Sequence, residues 1–364
     1  MATVQYLLGA NSPTGFYSLY DELIDRDSAR SVYILKGGPG CGKSSFLRRV
    51  GRHAEAAGLP TQYILCSGDP DSLDALILPS LNAALVDGTA PHVVEPSCPG
   101  VVDHYVDLGQ YYDAEGLQAH REDILARMAE NKAAYRRCYR CLAAAGALES
   151  DLRELLITDG VTDKLVKRAK GIVSRELKRG GTQEGKVTQR FLSAVTCRGC
   201  STLWDTVETG CKRVYELCDS YGLAHELLVP ILSAATARGY DVIACPAPLC
   251  PDRLEHLLIP ALGLAFVTSC KDRPYPGRPY RRLRLDSIVS AGDAYRRNRA
   301  RARFSRRVSA ALLDEAIQAL GQAKTAHDAL ESLYNPYVDF PAVYAEADAL
   351  ALKLIPERTT ANPQ

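Results

Sequence analysis

Gly37-Gly38-Pro39-Gly40-Cys41-Gly42-Lys43-Ser44 is a GxxxxGKS stretch, and its flanks decide how it folds. Ser31-Val32-Tyr33-Ile34-Leu35 before it is short, apolar and β-branched, which predicts a buried parallel strand. After it, Phe46, Leu47 and Val50 recur at helical spacing until Gly58, which predicts a helix from Ser44 to Ala57. A glycine-rich loop between a strand and a helix turns backbone N–H groups inward, and the helix N-terminus adds partial positive charge. The chemistry expected of Gly37 through Ser45 is therefore phosphate binding, with Lys43 on the β- and γ-phosphates and Ser44 on Mg²⁺.

Working outward, Thr61 to Cys66 is a second expected strand and Ser72 to Leu78 a short expected helix, capped by Asp71 or Ser72. Ala83-Ala84-Leu85-Val86-Asp87 is a third strand that ends in an acid. A carboxylate at the end of such a strand is placed to hold Mg²⁺, so Asp87 joins Ser44 as a metal-binding candidate. Gly88 follows it where many ATPases place a water-polarising Glu. A base must then come from elsewhere, and Asp69, Asp71 and His92 are the catalytic candidates beside Lys43 and Asp87.

The second half echoes the first. Leu19-Tyr20-Asp21 aligns with Leu203-Trp204-Asp205, Pro70-Asp71-Ser72-Leu73 with Pro251-Asp252-Arg253-Leu254, and Pro79-Ser80-Leu81 with Pro260-Ala261-Leu262. Opposite the glycine loop stands Cys218-Asp219-Ser220-Tyr221-Gly222, without the lysine, and Thr268 stands where an acid would match Asp87. The expected fold is α/β: a P-loop NTPase-like three-layer parallel sheet, duplicated in tandem, with long helical arms after each copy. The boundary is placed near the basic, glycine-ended segment 162–181 (Lys164, Lys167, Arg168, Lys170, Lys178, Arg179). That gives a nucleotide-binding domain over 1–185 and a degenerate copy with C-terminal helices over 186–364. The arms are expected over 115–156, broken near Gly146, over 293–334, and over 344–354.

The 364 residues carry 44 Lys and Arg against 43 Asp and Glu, a formal net charge of +1. That balance argues against whole-chain disorder and against a globally basic nucleic-acid binder. No stretch reaches the roughly 20 apolar residues of a membrane span, and the N-terminus does not read as a signal peptide. Twelve cysteines scattered through apolar strands fit reduced thiols in a cytoplasmic protein. The pairs Cys138/Cys141 and Cys197/Cys200 lie too far apart, and the first too deep in a helical stretch, to read as a compact zinc site. Arg296, Arg297, Arg299, Arg301, Arg303, Arg306 and Arg307 crowd one expected helix, with Arg296, Arg299, Arg303 and Arg307 in one stripe. The expected reading is a solvated helix face; the alternatives are a phosphate clamp reaching toward the nucleotide, or a nucleic-acid contact, which the near-zero net charge disfavours.

Four segments carry a resemblance: YLLGANSPTGFYSLYDELI from Tyr6, VYILKGGPGCGKSSFLRRVG from Val32, CSGDPDSLDALILP from Cys66 and VDGTAPHVVEP from Val86. Together they resemble an uncharacterised bacterial family of P-loop NTPase/ATPase proteins with two tandem copies of the unit, most densely over residues 6–113. The resemblance implies ATP as the nucleotide, with Gly37, Gly42, Lys43, Ser44 and Asp87 as site residues and no established substrate. Members of that family commonly carry a P-loop in the second copy as well, and this chain departs there. The expected function is Mg²⁺-dependent ATP hydrolysis in the first copy, with a regulatory or structural second copy. The alternatives are a small-molecule kinase using ATP, or a nucleotide-gated interaction module without turnover, acting on an unknown substrate or protein partner.

Overall fold

The protein is described by a computed structural model over residues 3–178 and 180–355; Arg179 of the basic segment lies outside the described residues. Two compact units form, each from several segments: residues 1–9, 18–135 and 320–364 in unit 1, and 10–17 and 136–319 in unit 2. Apart from residues 10–17, the α/β core expected in 1–185 lies in unit 1, and that expected in 186–364 lies in unit 2. Unit 2 takes the hairpin residues 10–17 and helical residues from the first half, and unit 1 takes helical residues from the second.

In chain order the first elements are β1 (Val4–Tyr6), the hairpin β2 (Gly9–Ser12) and β3 (Gly15–Ser18), β4 (Ser31–Lys36), α1 (Lys43–Ala56), β5 (Gln62–Leu65), β6 (Leu73–Leu78), β7 (Ala83–Asp87) and β8 (Asp103–Asp107). Then come α2 (Ala114–Gln118), α3 (Arg121–Leu156) and α4 (Asp159–Glu176). The sheet of unit 1 runs β1-β5-β6-β7-β4-β8. β4 lies parallel between β7 and β8, whereas β6 runs antiparallel to both its neighbours. The expected all-parallel sheet is thus a mixed one, and the expected helix Ser72–Leu78 is strand β6. All six residues of β6 are buried, and a short fully buried apolar run carries no period to separate strand from helix.

Unit 2 contains β9 (Val187–Gln189), the hairpin β10 (Ser193–Thr196) and β11 (Gly199–Thr202), α5 (Trp204–Gly210), β12 (Arg213–Cys218), α6 (Ala224–Thr236), β13 (Val242–Ala247), β14 (Cys250–Ile259), β15 (Leu264–Ser269), β16 (Arg281–Arg284) and α7 (Asp286–Ser290). Its sheet runs β16-β12-β15-β14-β13-β9, the same order and the same pattern of parallel and antiparallel pairs as in unit 1, read from the other edge. The last helices are α8 (Asp293–Tyr334), whose residues from 320 onward belong to unit 1, and α9 (Phe340–Leu354). In unit 1, α1 packs on β6 and carries α9 on its outer side; in unit 2, α6 packs on β14 and carries α4. The expected break at Gly146 is absent, and α3 runs through it. A Cβ there would stand 2.6 Å from Pro13 Cγ, so this glycine serves a close approach of the β2–β3 hairpin rather than a helix end.

Candidate functional site

The loop from β4 to α1 spans Gly37–Gly42 in unit 1. Gly40 and Gly42 hold φ of +70° and +86°, where a side chain is strained. A Cβ on Gly40 would also stand 3.2 Å from the Glu331 backbone, and one on Gly42 3.4 Å from Phe340. Lys43 opens α1. Its Nζ donates to the carbonyls of Gly37 and Gly38 at 2.9 Å each, and lies 3.7 Å from Asp87 Oδ2. Asp87 ends β7 and pairs with Leu35 of β4, so sheet register brings this carboxylate to the mouth of the loop. Its other oxygen accepts from the Thr89 N–H and hydroxyl at 2.9 and 2.6 Å. Ser44 Oγ accepts from the Leu73 N–H at 3.0 Å, which leaves a second lone pair on the hydroxyl.

The C-terminal end of α8 closes on the outer flank of the loop. With its amide nitrogen turned inward, Asn335 donates to Gly40 O at 3.1 Å. The Gly40 N–H faces the Glu331 carboxylate, which its bond with His327 holds below the usual carboxylate range. The loop thus already stabilises one negative charge. Tyr112 stands over Gly38, and burial pushes its phenol well up.

The other candidates separate. His92 is buried in the segment after β7, with Nε2 3.3 Å from Asp74 Oδ2 and its ring against Tyr20 at 4.7 Å. Tyr20 donates to the same Asp74 oxygen at 2.9 Å. Burial pulls the His92 pKa down, but the Asp74 carboxylate outweighs it and the net shift is upward. Asp69 pairs with Lys324 at 3.2 Å, and the exposed Asp71 lends its carbonyl to Arg48. The structure therefore groups Lys43, Asp87 and Thr89, ties the Ser44 hydroxyl to Leu73, joins His92 to Asp74 and Tyr20, and engages Asp69 with a lysine. Sequence reasoning missed Asp74, Tyr112, Glu331 and Asn335. Of these only Asp74 left a signal, an acid inside an apolar run.

In unit 2 the corresponding loop is Asp219–Leu223. Asp219 follows the last residue of β12 as Gly37 follows that of β4. Its carboxylate accepts from the Tyr221 and Ala224 N–H groups at 2.9 and 2.7 Å, filling the space a bound anion would take. Burial pushes this carboxyl up to about 6. His225 takes the place of Ser44, since its Nδ1 accepts from Leu254 N–H as Ser44 does from Leu73. A cavity of about 310 Å³ opens here, lined by Asp219, Tyr221, Arg153, Arg273, Glu255 and Cys250 among others. Nearby Ser193, His256 and Glu255 do not form a hydrolytic relay, because serine and acid both approach the same nitrogen, Nε2. Among the described residues no group of three or more His, Cys, Asp or Glu is arranged to hold a metal, and no helix is long and apolar enough to cross a membrane. The chain matches no protein-family model, no curated protein and no solved structure.

Proposed function

We propose that unit 1 binds Mg²⁺–ATP on Gly37–Ser45 and hydrolyses it, and that unit 2 is a degenerate copy of the same P-loop unit. One observation carries this reading. Lys43 Nζ rests on two carbonyls of a left-handed glycine loop, 3.7 Å from a carboxylate on the neighbouring strand. That is a cation held in reserve at a helix N-terminus, in reach of whatever anion the loop takes up. Shared strand order and the matched roles of Ser44 and His225 support the duplication. ATP over other nucleotides rests on the resemblance of segments 6–113.

The donor set fits Mg²⁺: a hydroxyl with a free lone pair and a strand-end carboxylate are what a P-loop contributes, water and phosphates completing the shell. Bound there, the ion would draw charge from the phosphates. Lys43 would neutralise charge developing between the β- and γ-phosphates, the loop N–H groups would fix the β-phosphate, and Thr89 would orient Asp87. Glu331 would yield its place at Gly40 N–H.

The test is Mg²⁺-dependent ATP hydrolysis by the full chain beside Lys43→Ala. Loss of turnover in the variant is expected, and an unchanged rate refutes the proposal. A small-molecule kinase is favoured by one observation: Gly88 follows Asp87 and His92 is held by Asp74, so neither supplies a water-activating acid at the loop. Turnover that appears only with an added hydroxyl acceptor would decide for that reading.

A further inference from the structure

The formal charge of +1 conceals a partition. Unit 2 holds 31 Lys and Arg against 20 Asp and Glu, a surplus of eleven positive charges, while unit 1 holds 13 against 23. Near-neutrality of the chain is therefore no argument against a polyanion partner for unit 2. The surplus concentrates at one place. Residues 278–307 contain eleven arginines, no lysine and two acids.

The fold gathers these arginines. β16, at the edge of the sheet, exposes Arg281, Arg282 and Arg284, and Arg284 pairs with Cys218 at the end of β12. α8 starts beside the same strand end, because Tyr295 and Arg306 both lie against Tyr221, at 5.9 and 5.5 Å. The buried side of this part of α8 is made of Ala302, Ser305 and Ser309, and its arginines are exposed. Arg284, Arg299 and Arg303 find no carboxylate among the described residues. Two large aromatics stand exposed among the arginines, Tyr280 at 47% and Phe304 at 54%, each with a guanidinium over its ring.

We propose that unit 2 binds nucleic acid through this β16–α8 face. Arginine rather than lysine fits planar, forked recognition of phosphodiesters, and exposed rings offer stacking surfaces for bases. A membrane surface fits less well, since an interfacial helix needs a broad apolar face to insert and Phe304 is the large apolar residue exposed here. From Arg296 to Arg307 the helix rises about 16 Å, a length over which duplex DNA carries about nine phosphates. Four phosphate contacts along the stripe give a slope of log K against log salt of about −3.6, or about 150-fold weaker binding between 50 and 200 mM salt. The inference does not rest on the ATP reading.

The experiment is fluorescence anisotropy of the full chain with a labelled 30-nucleotide DNA, single-stranded and as duplex, across that salt range. Sedimentation with phosphatidylglycerol vesicles runs in parallel. The combined variant Arg296→Gln, Arg299→Gln, Arg303→Gln and Arg307→Gln should lose about 3.6 from the slope and at least tenfold in affinity. Lysine at the same four positions should keep the slope, separating lost charge from lost fold. No oligonucleotide binding at 50 mM salt, full binding by the glutamine variant, or binding to vesicles alone would overturn the proposal.

Discussion

Asp348 of α9 takes both forks of the Arg49 guanidinium, at 2.6 Å each, and His53 Nε2 at 2.8 Å. Arg49 and His53 lie on α1, so this carboxylate ties α9 to the helix that leaves the glycine loop. The Arg49 and His53 hydrogen bonds hold the Asp348 carboxyl down to about 2. A carboxyl depressed in the folded state stabilises that state above its unfolded pKa near 4, and the benefit is lost as pH falls toward 2. The full shift would be worth about 2.5 kcal/mol. Asp348 is 33% exposed and Arg49 44%, however, so solvent screening leaves about 1 kcal/mol. Asp348→Asn should lower Tm by about 2–4 °C at pH 7, by roughly half of that at pH 3 and by almost nothing below pH 2. Added salt should shrink the pH 7 difference. The check is a series of thermal melts of both proteins from just below pH 2 to pH 7 at low and high salt. An equal drop at both ends of the range would mean that the cost comes from packing, and no drop at pH 7 would mean that the ion pair is idle. α9 also supplies Phe340 and Val343 to Gly42, so the variant should bind nucleotide more weakly at pH 7 as well.

Two further substitutions probe the same unit. Asp74→Asn removes the carboxylate that raises His92 while leaving it buried, so an NMR titration should show the His92 pKa falling below its ordinary 6.5; a raised value that persists would move the cause elsewhere. Gly40→Ala places a side chain at φ +70°, costing about 1–2 kcal/mol before any contact, and its Cβ meets the Glu331 backbone at 3.2 Å. Urea melts should show at least that loss, and a neutral result would mean that the loop does not hold Gly40 in the left-handed conformation in solution.

What the residue pattern made legible was local. Val32 to Leu35 and Phe46 to Val50 carry their strand and helix in their own spacing, and the glycines between them need no distant partner to be read. β6 carried no such signal, because Leu73–Leu78 is buried along its whole length and its direction is set by pairing with β5 and β7. Asp69 looked free until Lys324 met it from α8, more than 250 residues later. Asn335 and Glu331 reach the loop from the far end of the chain, which no local pattern reports. The charge surplus was hidden for another reason: a sum over the chain cancels what the fold separates into two units.

The two loops show why similar backbones need not share a ligand. Each meets a carboxylate at its N–H groups, but from a different source. In unit 1 it is Glu331, carried by α8, and a competing phosphate has only to displace a side chain from another element. In unit 2 it is Asp219, part of the loop itself, held by Tyr221 and Ala224 N–H groups. That loop has five residues against six, and Ala224 replaces the lysine that opens α1. Expelling Asp219 would leave its carboxylate repelling the incoming phosphate with no Lys43 counterpart to offset it. The asymmetry thus follows from which element owns the acid: a borrowed one can be exchanged, whereas one built into the turn holds the turn together.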